Sequence, residues 1–363
     1  MKVGFDVTQA AKKQGRGIAR YIRALLPELV GAMPELEPVL HLRDQRWWRK
    51  SLVDDLLSDA ERRPLLGPLA SPRRDLDHFH SLGNHLPWLC PSSRSFTLHD
   101  LRSLDMPSRR PFSTSRVRRN VRRAHAVVVL TEHGKSRLLH HFPSLPEHQV
   151  SVIPQGVDLE RFAPRDPEVS AAFAASLGIK QPFLLQLGSW FPHKNLELSI
   201  RAFARSEVRG QGCQLVFVGG GASKDYGASL RQLAEKEGVG DSVRWVENVA
   251  GGQIPDLFAS ASVVLQPSFY EGFGLPVLEA MASGTPGVVA DSSCLPEVAG
   301  DAWPSAPSDN PEAFASAIDS VALDAVARER SISLGLKRAQ EFSWHRTGAA
   351  TAAFLRKVAL VSE

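Results

Sequence analysis

The sequence predicts an α/β protein in which two doubly wound domains follow one another along the chain. Short runs rich in β-branched residues recur at spacings that leave room for helices, which is typical of parallel sheets. The 363 residues are enough for two domains of common size. A content of 43% hydrophobic and 23% charged residues is that of an ordinary globular chain. Disordered, collagen-like and disulfide-stapled classes are excluded.

The predicted elements fall into two series. Strands are predicted at 2–7, 38–42, 77–80, 95–98, 126–130 and 150–153, and then at 183–187, 214–218, 242–246, 262–266 and 286–290. Two prolines with flanking charges in 162–168 indicate a linker, so we place the domain boundary near residue 165. The predicted domains are 1–165 and 166–343, and the apolar periodicity of 344–363 predicts a helix that crosses back to the N-terminal domain.

Cysteine spacing and the N-terminal residues indicate the cellular compartment in which the protein is expected. Cys90, Cys213 and Cys294 lie far apart, without the spacing of a disulfide framework or a zinc site, which favours a reducing environment. Asp6 falls where a signal peptide would be apolar, and no apolar run approaches the length of a membrane span. We therefore expect a cytoplasmic protein that is neither secreted nor membrane-spanning.

Positive charge is concentrated in the N-terminal half. Residues 1–158 hold 25 Lys and Arg against 16 Asp and Glu, whereas the rest of the chain holds 18 against 23. Eight of the arginines lie between Arg102 and Arg123, where Asp105 is the one acid. This patch suits peripheral contact with an anionic membrane or a lipid-diphosphate acceptor, and a merely solvated basic surface is the alternative. Nucleic acid is not expected, because the patch contains no known reading element.

The most informative local pattern is the segment 271–279, Glu-Gly-Phe-Gly-Leu-Pro-Val-Leu-Glu, which follows a predicted strand and leads into a helix. Gly272 and Gly274 let the backbone approach a ligand closely, while the amides at the start of the helix suit a diphosphate. Glu279, about one helical turn further on, is suited to a ribose diol, and Glu271 to the hydroxyls of a sugar. The amides expected to bind the donor are those of Gly272, Phe273, Gly274 and Leu275.

Together with the segments that flank it, this pattern resembles the Glu-x7-Glu signature of retaining glycosyltransferase family 4. The resemblance covers 270–286 and 293–303, and it continues in the right order along most of the chain. The other matching segments are 15–21, 97–101, 152–158, 188–195, 217–220 and 342–344. It implies the GT-B fold, with two Rossmann-like domains facing a central cleft. It also implies that Glu271 contacts the transferred sugar and Glu279 the ribose, in agreement with the roles inferred from the residues themselves.

The resemblance extends to residues before the Glu-x7-Glu segment. Lys194 matches the family's phosphate-binding lysine, and a solvated lysine at a helix start is the alternative. Ser189 stands where most members have an arginine, so we expect His193 to compensate for the missing charge. His99, at the end of a predicted strand, matches a histidine that contacts the transferred sugar, and a hydrogen-bonded loop histidine is the alternative. The Pro-His-Lys-Asn variant is most similar to mannosyl- and rhamnosyltransferase-like members.

Two further donor-binding regions are expected. Gly15 and Gly17 do not form a dinucleotide fingerprint, because Arg20 stands where a third glycine would be needed. The resemblance implies instead that the loop containing Gly17 lies against the diphosphate and the acceptor. It also implies that the base is read largely by backbone groups, here near Val246 and Asn248.

No metal site and no cofactor are expected. In the one Asp-x-Asp pattern, Asp75 and Asp77 precede a predicted strand, whereas ligands bind at the ends of parallel strands. Charge on a leaving diphosphate must then be balanced by Lys194 and by helix amides.

The sequence as a whole predicts a metal-independent retaining glycosyltransferase. It would transfer a hexose, with a leaning to mannose, from a GDP- or UDP-linked donor to a hydroxyl of a glycan or lipid-linked acceptor. No residue is an evident nucleophile, which favours front-face transfer over double displacement, and the acceptor is expected to contact loops such as 81–91. A sugar-nucleotide epimerase and a catalytically silent nucleotide-sugar binder remain alternatives, whereas a phosphorylase is disfavoured because no pyridoxal-phosphate lysine motif is apparent.

Overall fold

The chain folds into two compact units. The computed structural model describes residues 1–11, 17–43, 47–65, 75–87, 93–106, 111–221, 223–247 and 249–360. The first unit comprises Met1–Gly156 and Trp344–Glu363, and the second comprises Val157–Ser343. The boundary expected near residue 165 thus falls inside the second unit. The reason is packing: the Val157 amide donates to the Phe342 carbonyl at 2.7 Å, and the Phe162 ring packs edge-on against Phe258.

The described part of the first unit contains a parallel sheet of seven strands. The strands are β1 (Lys2–Asp6), β2 (Glu37–Arg43), β3 (Glu61–Leu65), β4 (His78–Ser81), β5 (Arg94–Leu98), β6 (Ala126–Val129) and β7 (Val150–Val152). They pair in the order β3-β2-β1-β4-β5-β6-β7. The helices between them are α1 (Ile18–Ala32), α2 (Arg102–Asp105), α3 (Pro111–Arg123) and α4 (Glu132–His141). Phe79 and Phe96, on neighbouring strands, are fully buried in the core of this unit.

The second unit repeats the architecture with six parallel strands in its described residues. They are β8 (Phe183–Ser189), β9 (Gln214–Gly220), β10 (Val243–Glu247), β11 (Val263–Gln266), β12 (Gly287–Ala290) and β13 (Ser305–Ala306), paired in the order β10-β9-β8-β11-β12-β13. The helices are α5 (Pro167–Ser176), α6 (Leu196–Arg205), α7 (Lys224–Lys236), α8 (Ile254–Ser260), α9 (Leu275–Ala282), α10 (Leu295–Ala299), α11 (Pro311–Ala322) and α12 (Ala325–Gln340).

The C-terminal helix α13 (Trp344–Leu360) belongs to the first unit, where it packs along α1. Glycine at position 348 is required by this contact. A Cβ atom there would come within 2.7 Å of the Glu28 backbone, so α13 approaches α1 more closely than a larger residue would allow.

The two parallel sheets confirm the predicted fold. Strands β3 and β13 were not predicted, for different reasons. In β3 the sequence Glu-Arg-Arg-Pro-Leu lacks an apolar run, and it forms an edge strand, where proline and charge are tolerated. In β13 just two residues pair with β12, which is too short for a periodic pattern.

Candidate functional site

In the second unit, the ends of β8 and β11 bring Lys194 and Glu271 together. After β8 the chain makes a tight turn at Pro192–Lys194, and Asn195 follows with φ 52°. The Asn195 side-chain amide donates to the carbonyls of Pro267 at 3.0 Å and Ser308 at 2.8 Å. Asn195 thereby fastens the lysine turn to the loop that begins where β11 ends.

The Lys194 ammonium binds both oxygens of Glu271. The distances from Nζ are 2.6 Å to Oε1 and 2.7 Å to Oε2. Both side chains are largely buried, with exposed fractions of 18% for Lys194 and 10% for Glu271. Oε1 also accepts hydrogen bonds from Ser268 Oγ at 2.8 Å and from the Gln266 amide. Oε2 accepts from Lys194 alone among the described residues.

The electrostatics of this pair keep Glu271 ionised. Burial by itself would raise the pKa of Glu271, because it disfavours the charged form. The charge and hydrogen bonds of Lys194 outweigh that effect, and Ser268 and the nearby His193 act in the same direction, so the pKa of Glu271 lies below its usual range. The site therefore presents a fixed carboxylate beside a fixed ammonium.

The loop after Glu271 leads directly into α9. Gly274 has φ 88° and precedes the helix, and a Cβ atom there would lie 3.1 Å from Leu295 Cδ2. The Phe273 side chain points into the protein, where it is 4% exposed and packs edge-on against Phe342. Only the backbone of Phe273 is therefore available to a ligand. The Leu275 amide lies at the helix N-terminus, where unpaired N–H groups favour an anion.

Glu279 lies within α9 and is buried, with 2% of its surface exposed. Ser189 ends β8 opposite Gly220, and its carbonyl accepts the Phe191 amide at 3.0 Å. His193 precedes Lys194 in the turn, and its carbonyl accepts the Phe269 amide at 2.9 Å. Its ring stacks on Phe191 at a centroid distance of 6.0 Å. The ribose, base and phosphate roles of these residues stay predictions.

Val246 lies near the end of β10, and the predicted base-reading residue Asn248 lies outside the described residues. Gly17, in the first unit, caps α1 with φ 54°, and among the described residues other than its chain neighbours no atom lies within 4 Å of the Cβ position it lacks. Gly15, Cys90, Arg109, Arg110 and part of the predicted acceptor loop 81–91 also lie outside the described residues.

His99 lies in the first unit directly after β5. Its Nε2 hydrogen-bonds the Leu82 carbonyl at 2.9 Å, and its backbone amide donates to Asn84 Oδ1 at 3.1 Å. The Tyr21 ring meets the imidazole edge-on at 4.8 Å. Burial lowers the pKa of His99, against smaller opposing effects of Leu82 and Asp100. Because a carbonyl oxygen can only accept a hydrogen bond, the neutral ring carries its proton on Nε2, and Nδ1 is left as an acceptor.

Sequence reasoning missed the residues that orient Glu271. Ser268 and Gln266 donate to its carboxylate, and Ser293, with φ 50°, accepts the Glu271 amide at 3.0 Å. Gln266 and Ser268 could have been found from the sequence, because they are polar residues at and just after the end of an otherwise apolar strand. Ser293 begins the resembling segment 293–303, but its contact with a residue 22 positions earlier is not visible in any local pattern.

Three arginines of the N-terminal patch lie exposed on α3, while Arg119 and Arg123 on the same helix are half-buried. Arg116, Arg118 and Arg122 are exposed, whereas Val117 and Val121 face the core. In the part of the chain that the structure describes, no helix is long and apolar enough to cross a membrane.

The Asp-x-Asp pair is engaged elsewhere. Arg63 binds both oxygens of Asp75, at 2.9 and 2.8 Å, and the Lys2 amide donates to Asp77 at 2.8 Å. Among the residues described, no group of three or more His, Cys, Asp or Glu side chains could hold a metal ion.

Comparison with solved structures shows the fold. Two Rossmann-like units with parallel sheets are the GT-B fold, and solved structures of that kind align over nearly the whole chain. The Anabaena protein HepE, in complex with UDP and glucose, covers 98% of this chain and 100% of its own, with a TM-score of 0.77 and 18% identity. WaaG, a glycosyltransferase involved in lipopolysaccharide biosynthesis, covers 97% and 99%, with a TM-score of 0.69 and 17% identity.

Sequence relatives are more specific. Residues 171–338 match the family model described as Glycosyl transferases group 1. D-inositol 3-phosphate glycosyltransferase of Streptomyces scabiei is 33% identical over 245 residues, which are 64% of this chain and 54% of the relative. O-antigen chain mannosyltransferase B of Escherichia coli is 34% identical over 166 residues, which are 45% and 43%. The chain spans about half the length of these curated relatives. The solved structures show the GT-B fold, and the sequence relatives are glycosyltransferases.

Proposed function

We propose that this protein is a metal-independent, retaining glycosyltransferase of family 4, which transfers a hexose from a nucleotide-diphosphate sugar to a hydroxyl of a glycan or lipid-linked acceptor. The observation that carries the proposal is the Lys194–Glu271 ion pair, at 2.6 and 2.7 Å, beside the N-terminus of α9. It combines a sugar-binding carboxylate, a phosphate-binding cation and unpaired amides at one end of one sheet.

Lys194 and Glu271 have hydrogen-bonding capacity left for the donor. An ammonium has three N–H donors, and Lys194 uses two on Glu271, so the third can bind an oxygen of the diphosphate. Oε1 of Glu271 already accepts from three side chains, whereas Oε2 accepts from one. Oε2 is therefore the oxygen that accepts a sugar hydroxyl. Glu279 binds the ribose, and His193 adds positive charge near the phosphates in place of the arginine absent at Ser189.

Transfer is proposed to follow a front-face course. The bond between the anomeric carbon and the diphosphate oxygen breaks, and its electron pair stays on the leaving diphosphate. Lys194 and the amides from Gly272 to Leu275 stabilise that charge, with backbone groups near Gly17 as further donors. The acceptor oxygen forms the new bond on the same face, and its proton passes to the leaving phosphate. A glycosyl adduct trapped on Glu271 or Asp100 would instead mean double displacement.

His99 is assigned contact with the transferred sugar. Its Nδ1 is an acceptor, because Nε2 donates to the Leu82 carbonyl, so a sugar hydroxyl can donate to the ring. Recognition of the nucleotide base is assigned to backbone groups near Val246. Mannose is the first sugar to test, since a mannosyltransferase is among the relatives, and both GDP and UDP donors are to be compared.

The arginines of α3 are assigned to peripheral contact with the anionic inner face of a membrane that carries the acceptor. Each well-placed cation contributes about 1 kcal/mol to such binding. Exposure of Arg116, Arg118 and Arg122 supports this assignment.

A thermal-shift panel tests the proposal, with UDP, GDP, ADP, dTDP and their hexose conjugates, first without metal and then with magnesium. Ligand at a hundred times its Kd adds about 2.7 kcal/mol of stability. We expect a metal-independent shift with one base, weakened by Lys194→Ala and unchanged by Val326→Ala, a remote exposed control. No shift with any nucleotide would contradict the proposal. Donor conversion without acceptor would indicate an epimerase, and binding without nucleotide release a silent binder.

A further inference from the structure

A phenylalanine beside the candidate donor site has an unusual environment. Phe191 is 43% exposed, although it is a large apolar side chain in the turn that carries Lys194. One face of its ring lies nearly parallel to the His193 imidazole, with an interplanar angle of 14°. An exposed apolar ring with a stacked second ring behind it is a ready surface for a flat ligand.

The backbone next to Phe191 is built from glycines. Gly219, Gly220 and Gly221 follow one another at the end of β9, with φ values of 151°, 144° and 86°. The tip of the Phe191 ring lies 3.8 Å from the Cβ position that Gly221 lacks. The Cβ position of Gly219 is filled by the Gly188 carbonyl, and that of Gly220 lies 3.7 Å from the Glu247 carboxylate, so Gly221 supplies the part of the wall beside the ring that has no side chain and that a ligand can approach closely.

Strand order indicates which part of the donor this ring meets. The sheet runs β10-β9-β8-β11, with neighbouring strands about 4.8 Å apart. Lys194 follows β8 and Glu271 follows β11, so we place the sugar and diphosphate of the donor beside the ends of these two strands. The Phe191 ring reaches from β8 towards the end of β9, which is the opposite direction. Beyond β9 lies β10, where Val246 is assigned to the base.

We propose that Phe191 is a stacking platform for the nucleobase of the donor, with His193 supporting the ring from behind. This inference rests on the proposed function, since it requires a nucleotide donor in this unit. A phenyl face stacks on any base, so the ring contributes affinity for the nucleoside. Neighbouring backbone groups determine which base is preferred.

The test compares ligands that contain a base with one that does not. For Phe191→Ala we expect nucleoside diphosphate affinity, measured by isothermal titration calorimetry, to fall about 5- to 150-fold, the range observed when stacking aromatics are truncated. Inorganic pyrophosphate affinity should be unchanged, and Phe191→Trp should retain nucleoside diphosphate binding. Phe269→Ala is the matched control, because Phe269 is equally exposed, at 41%, but follows β11.

The outcomes separate this inference from the function it rests on. If the wild-type protein binds no nucleotide, the proposed function fails. If it binds nucleoside diphosphate and Phe191→Ala binds equally well, the stacking inference alone is wrong. A loss seen with nucleotide sugar but not with free nucleoside diphosphate would place the ring against the sugar and overturn the inference. An equal loss with pyrophosphate or with Phe269→Ala would mean general damage to the donor site, and would overturn the stacking inference too.

Discussion

Replacing Lys194 by methionine should destabilise the second unit in a pH-dependent way. The substitution keeps most of the side-chain volume but removes the charge that binds Glu271 at 2.6 and 2.7 Å. The carboxylate then remains buried with Ser268 and Gln266 as donors and without its cation. Breaking a buried ion pair from one side costs about 3–5 kcal/mol, and we expect about 3 kcal/mol at pH 7.5, because Lys194 is partly exposed.

The sign of the pH effect follows from the pKa of Glu271. In the wild type that pKa is lowered, so the pair contributes stability above the ordinary glutamate pKa and loses it as the pH falls through the lowered value. Without Lys194, burial dominates and the pKa of Glu271 rises above its ordinary value. Stability of the variant is then lost as the pH rises through that raised pKa. The difference from wild type should therefore be smaller at pH 5 than at pH 7.5.

Urea denaturation followed by tryptophan fluorescence measures the free energy of unfolding at each pH, because Trp190 and Trp245 lie in the second unit. The control is Lys194→Met combined with Glu271→Gln, which leaves no buried charge and should recover about 2 kcal/mol at pH 7.5. A cost that is the same at pH 5 and pH 7.5, or a double variant as unstable as the sum of the single variants, would refute the electrostatic explanation.

Three further results are expected. Gly274→Ala should cost about 1–2 kcal/mol in thermal unfolding, because alanine is strained at φ 88° and its Cβ would press on a neighbouring leucine. His99→Gln should lower sugar transfer about 10²-fold and leave nucleoside diphosphate affinity unchanged, and equal loss of both would contradict a role at the sugar. Arg116, Arg118 and Arg122 changed together to Glu should abolish sedimentation with anionic vesicles but preserve transfer to a short soluble acceptor, and unchanged sedimentation would rule out α3 as the contact.

The sequence was sufficient for the architecture and for the pair of residues at the centre of the candidate site. Apolar strand runs revealed most of both sheets, because strands buried on both faces read as continuous apolar segments. The pattern around Glu271 indicated the loop in which the structure pairs Glu271 with Lys194. The donors that fix its carboxylate were missed, because hydrogen bonds such as that from Ser268 depend on rotamers and loop geometry. The role assigned to Phe191 also became visible only in three dimensions, since it depends on the exposure of one ring.

The bridge between Val157 and Ser343 brings together the two points where the chain enters and leaves the second unit. The second unit is therefore an uninterrupted insert, whereas the first is assembled from two segments that are far apart in sequence. During synthesis, the insert has all of its residues before α13 has emerged to cover α1. The unit that begins first is thus completed after the second, and the face of α1 that α13 covers stays exposed until α13 has emerged. A chain stopped at residue 343 would have a whole second unit and an unfinished first one.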